Sequence, residues 1–84
     1  MSLAQAAPTL LIRSADGSDR IALRRLAELD SARVPGGDLL VAQVGSALVA
    51  AHAPATGATI ADPFRHTAGV VEVLELRGAL LRAS

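Results

Sequence analysis

The stretch that most constrains this chain runs over residues 38–53. Two apolar segments, 38–44 and 47–53, flank the pair Gly45-Ser46. A two-residue loop opening on glycine suits the type II′ turn of a tight hairpin. Such a loop sets Val44 against Ala47, Ala42 against Val49 and Leu40 against Ala51. Alternation then gives the opposite face Leu39, Val41, Leu48 and Ala50, with Gln43 and His52 as its polar members. Both faces are mostly apolar, so both need cover. A hairpin alone in water is marginal, and the rest of the chain has to supply that cover.

The flanking segments have the periods required. Residues 9–13, Thr-Leu-Leu-Ile-Arg, form a short apolar run that fits a first strand. Residues 14–18 break it, and Asp16 can cap a helix with Asp19 near the positive end of its dipole. Over 18–31 Ala22, Leu26 and Leu29 share one helical face, with Leu23 and Ala27 at its edge. Arg24 and Glu28 can pair on the wet side. The run Val34-Pro35-Gly36-Gly37 ends this element. Past the hairpin, 54–57 form a turn, 58–61 a short further strand, and Asp62-Pro63 a stop. A second helix is expected from about 66 to 82. Its apolar residues Val70, Val73, Leu74, Leu76, Leu80 and Leu81 cover more than half the circumference, with Arg77 inside the apolar arc. A helix on a monomer needs a narrower stripe, so the surplus predicts a partner. The expectation is one α/β (α+β) domain over 1–84, ordered β-α-β-β-(β)-α. Its sheet is antiparallel-dominated, with three or four strands and two main helices, and residues 1–8 are flexible.

Composition limits what such a domain can do. The chain has 84 residues, eighteen of them alanine, one phenylalanine, and no cysteine, tyrosine or tryptophan. A chain this short buries only about 60% of its unfolded surface, so stability is marginal and no disulfide assists it. Eight arginines balance eight carboxylates. No basic stripe is available to neutralise phosphates, and no polybasic segment to hold a membrane surface. Residues 1–11 place no positive charge ahead of their apolar stretch, unlike a signal peptide. The uncharged run 39–61 is long enough for a membrane span, but Gln43, Gly45, Ser46, His52, Pro54 and Gly57 interrupt it. The reading is a cytoplasmic domain with no nucleic-acid and no membrane partner.

Three strings carry a family resemblance: LIRSAD at 11–16, IALRRLAELD at 21–30 and LLVAQVGSALVAA at 39–51. In that element order the chain resembles the opening half of the GNAT N-acetyltransferase superfamily. Its members often begin with an "IRPA" strand, a helix rich in Leu and Ala, and a "lVAevdGelVa" hairpin. The resemblance implies a pyrophosphate loop of the form Q/R-x-x-G-x-G/A before the helix that follows the fourth strand. Free amides and the helix dipole would meet the anion there. The matching residues are Arg65-His66-Thr67-Ala68-Gly69-Val70. Arg65 suits the first position, whereas Ala68 and Val70 replace the glycines and Gly69 is displaced by one. The family's fifth strand, following helix, last hairpin and late tyrosine have no counterpart here. The resemblance is therefore to a truncated, degenerate member.

These residues define the candidates. Arg65, His66, Ala68 and Gly69 form the degenerate cofactor loop, with acetyl-CoA as its ligand if a second chain supplies the missing wall. Otherwise no cofactor is expected. His52, His66 and Asp62 lack the ligand number and spacing of a metal centre. Ser14, Ser18 and Ser46 serve turns or caps, since no Ser-His-Asp arrangement accompanies them. Asp62 and Glu72 read as solvated carboxylates, and no residue is assigned to catalysis. Val70, Val73, Leu74, Arg77, Leu80 and Leu81 form the expected interface. The favoured reading is a non-catalytic domain that makes a homodimer or binds a protein partner, with the open edge of the fourth strand taking part. The alternative is a reduced acyl-CoA binder or N-acetyltransferase.

Overall fold

The computed structural model describes residues 9–83. The flexibility expected of 1–8 lies outside the described residues. Four strands, β1 (Leu10–Ser14), β2 (Leu40–Val44), β3 (Ala47–His52) and β4 (Thr59–Ala61), form an antiparallel meander in the order β1-β2-β3-β4. Helix α1 (Arg20–Leu29) lies on one face and α2 (Ala68–Ala83) on the other. The chain is thus α+β, with the sheet sandwiched between its two helices, as the doubly apolar hairpin requires.

The hairpin turn is as expected, with Gly45 at φ 61, the positive value wanted at the first central position of a type II′ turn. The register is not. Val44 faces Ala47 and Gln43 faces Leu48, but Ala42 then faces Ala50, leaving Val49 as an extra residue in a β-bulge. A bulge shifts every later side chain of that strand to the other face. Ala51 therefore joins Leu39, Val41, Ile60 and the α1 residues Leu23, Leu26 and Ala27. Val49 and Ala50 join Leu40, Ala42 and Leu74 beneath α2. His52, opposite Leu40, also comes to lie under α2.

The helix ends follow local chemistry. Asp16 and Asp19 make a reciprocal capping box around the 3-10 turn Gly17–Asp19 that leads into α1. At the other end Ser31 has φ 51, and the Ala32 amide donates to Ala27 O at 2.8 Å. That is a Schellman closure with serine where glycine is usual. Helix α2 starts at Ala68, two residues later than expected, with the Val71 amide donating to Thr67 O at 2.8 Å. Arg65 and His66 thus belong to the preceding loop.

Candidate functional site

The loop from β4 to α2 carries the expected anion-binding residues, and it is organised by Asp62. The Asp62 amide donates to Val49 O at 2.9 Å, and its carboxylate accepts the Phe64 amide at 2.8 Å. The same carboxylate pairs with the Arg65 guanidinium at 3.5 Å. Arg65, the cation that the resemblance assigns to a pyrophosphate, is therefore already opposed by an acid. It lines a cleft of about 480 Å³ together with Arg25, Asp62, Ser18, Ser46 and the exposed Ile21. His66, Ala68 and Gly69 are exposed and do not line that cleft. The four loop residues are neighbours in sequence but do not converge on one cavity.

The expected interface residues divide. Leu74 is fully buried, packed with Leu40, Ala42, Val49 and Ala50 inside one chain. It is a core residue and unavailable to a partner, because α2 crosses the sheet with its middle turn facing down. Val70 is half-buried against the same cluster. Val73, Arg77, Leu80 and Leu81 are exposed, as is Leu76, at 38% for Val73 and 56–61% for the three leucines. Arg77, Leu80 and Leu81 border a groove of about 360 Å³ whose other lining is Ile12, Arg13, Ser14 and Leu40. The open apolar surface of α2 is therefore its flank toward β1.

The histidines and acids do not assemble. His52 is buried, with Nδ1 2.8 Å from Thr59 Oγ1. Among the described residues no group of three or more His, Cys, Asp or Glu could hold a metal ion. No helix among them is long and apolar enough to cross a membrane. Ser18 donates to Asp16 within the cap.

One polar cluster escaped the sequence. Arg13 on β1 donates through Nη1 and Nη2 to the two Asp19 oxygens, both at 2.8 Å, and through Nε and Nη2 to Gln43 Oε1 at 3.2 and 3.0 Å. Gln43 Nε2 donates on to Gly45 O at 2.8 Å. Asp19 is buried and also accepts the Asp16 amide at 2.8 Å. The Arg13 hydrogen bonds, then the amide, hold its carboxyl down at about 2. Asp16 is likewise lowered, chiefly by the Ser18 hydroxyl and amide, and Arg13 is raised by its bonds to Asp19. The available signal was Gln43, a polar residue on an otherwise apolar face. Every member of the cluster is satisfied by another, so it fastens β1, β2 and α1 and offers no reactive group.

No known family model, curated protein or solved structure matches this chain. Its functional reading rests on its own geometry.

Proposed function

We propose that this chain is a non-catalytic, GNAT-like domain, set in the cytoplasm, that works by self-association and so forms a homodimerisation module. The carrying observation is the apolar surplus of α2. Val73, Leu76, Leu80 and Leu81 stay exposed after the helix has covered its share of the sheet. Apolar surface gathered on one side of a small domain marks a contact surface. The GNAT-like part of the proposal draws on the 11–51 strings and on the order β-α-β-β-β-α, with helices on opposite faces. The non-catalytic part draws on Ala68 and Val70 at the glycine positions and on an Arg65 engaged by Asp62. Sedimentation across micromolar concentrations tests the proposal. The expected species has twice the 8.5 kDa chain mass, and a monodisperse monomer rejects it.

A second reading, an acyl-CoA site completed by another chain, draws on Arg65 and Arg25 sharing the 480 Å³ cleft. Calorimetric titration with acetyl-CoA separates the two, and the first predicts no binding heat.

A further inference from the structure

The two free edges of the sheet differ. On β4, the bonds from the Ala53 amide to Ala58 O and from the Asp62 amide to Val49 O turn Thr59 and Ala61 outward. The outward Ala61 amide is already taken, donating to the Asp30 carboxylate at 3.1 Å. That carboxylate stands where an incoming strand would place a carbonyl. The edge is also only three residues long, and short, acid-guarded edges resist pairing. The edge expected beside the fourth strand is thus present in the sheet order but short, with the Ala61 amide guarded by Asp30.

On β1, the Ala15 amide donates to Leu39 O and the Gly45 amide to Thr9 O. Alternation then points the backbone groups of Leu10, Ile12 and Ser14 outward. Ser14 O accepts Arg13 Nη1 at 3.2 Å. The outward amides and the Leu10 and Ile12 carbonyls take no partner among the described residues. This edge is five residues long, and Leu10 and Leu11 on its two faces are 43% and 47% exposed. Beside it runs the groove in which Ile12, Leu40, Leu80 and Leu81 lie with Arg13, Ser14 and Arg77. Helical spacing puts Val73 on the same flank of α2 as Leu80, with Leu76 above them.

We propose that a second copy of this chain adds its β1 antiparallel to this one about a two-fold axis, giving one continuous eight-stranded sheet. The proposal rests on the self-association reading and names its surface. Two identical edges satisfy each other's outward donors and acceptors, which is an isologous contact. Centring on Ile12 pairs all five residues, with Leu10 opposite the partner's Ser14. Leu10 and Ile12 of both copies then floor the space between the two α2 helices, and Val73, Leu80 and the stem of Arg77 wall it. The exposed apolar side chains on this side include Leu10 at 43%, Leu80 at 58% and Leu81 at 56%. A standard interface covers about 800 Å² per partner, and the paired strands extend this apolar patch along the whole β1 edge.

The chain has no cysteine, so disulfide trapping reads the geometry cleanly. Leu10→Cys and Ser14→Cys chains should cross-link on mixing under mild oxidation. Either alone should yield about tenfold less, because identical positions would lie beyond disulfide reach. Ile12→Cys should cross-link to itself, and Thr59→Cys on the β4 edge should not. A wild-type dimer that traps through Thr59→Cys but not in the mixture overturns the β1 assignment while leaving self-association standing. A monomeric wild type overturns both.

Discussion

The two helices cover opposite faces of one sheet and are attached to it in different ways. Helix α1 buries Leu23, Leu26 and Ala27, and directional bonds hold both its ends. At its start Asp19 is gripped by Arg13 from β1. At its end the Asp30 carboxylate accepts the Ala61 amide of β4. Helix α2 is longer, yet its buried residues are Leu74 and Gly78, and Leu74 meets the sheet by apolar packing against Leu40, Ala42, Val49 and Ala50. Directional bonds specify a position, whereas apolar contact is indifferent to which chain provides it. The difference teaches that directional bonds fix α1 in place, while α2 meets the sheet by packing and leaves Leu76, Leu80 and Leu81 exposed.

The largest expected effect lies where α2 has least redundancy. Leu74→Ala removes its one large, fully buried side chain and should cost about 2–5 kcal/mol. A domain of this size holds roughly 4–12 kcal/mol in all, so the upper end approaches unfolding. Leu26→Ala removes the same atoms from the α1 layer, but Leu23, Ala27 and the polar fastenings remain. Hydrogen exchange distinguishes the two. Leu74→Ala should release the amides of α2 before those of α1, and Leu26→Ala should show no such order. Release of both helices together in Leu74→Ala would break the comparison.

A smaller effect tests the closest approach of α2 to the sheet. A Cβ added at Gly78 would lie 2.6 Å from Cδ2 and Nε2 of His52, well inside contact distance. The ring is buried and held by Thr59 Oγ1, so it cannot swing aside cheaply. Gly78→Ala gains about 1 kcal/mol of helix propensity but meets an overpacking cost of about 1–3 kcal/mol. The expected outcome in urea denaturation is a net loss. Combined with His52→Ala, the same change should become neutral or stabilising, a coupling that a double-mutant cycle reads directly. A stabilised Gly78→Ala single variant would mean that α2 rides higher on the sheet.

Much of the fold was legible because period, turn chemistry and caps agree. The Gly45-Ser46 turn, the Asp16 cap, the four strands and both helices follow from residues close in sequence. The errors have one physical origin, which is contact between distant segments. The bulge at Val49 exchanges the faces of Ala50 and Ala51, and nothing in an alternating apolar run marks where an extra residue sits. Leu74 shares the broad arc of its helix with Leu76 and Leu80. Only the position of the sheet separates core from surface within that arc. The bond from the Ala61 amide of β4 to Asp30 joins residues 31 apart, and the Arg13–Gln43 bond spans 30. The Arg65 loop was legible as a string, but its pairing with Asp62 needed the turn geometry.

The polar fastening of α1 gives an effect of similar size with a defined pH window. Asp19 has its folded-state carboxyl lowered to about 2 from an ordinary 3.8. The unfolded chain therefore binds more protons than the folded one between those values, and stability rises with pH across that range. The contribution is fully present above about pH 4 and is lost as pH falls through 2. Asp19→Asn keeps the shape but loses the charge that orients Arg13 and one half of the capping box. Its cost at neutral pH should be about 1–2 kcal/mol, the scale of a helix cap. Denaturation at pH 6 and at pH 2.5 should show the gap between wild type and Asp19→Asn narrowing in acid. Because α1 alone carries this anchor, Leu74→Ala in α2 should keep its full cost at both pH values. An Asp19→Asn penalty as large at pH 2.5 as at pH 6 would show that the residue acts through shape instead of charge. The contrast between a bonded helix and a packed one would then reduce to a difference in buried area.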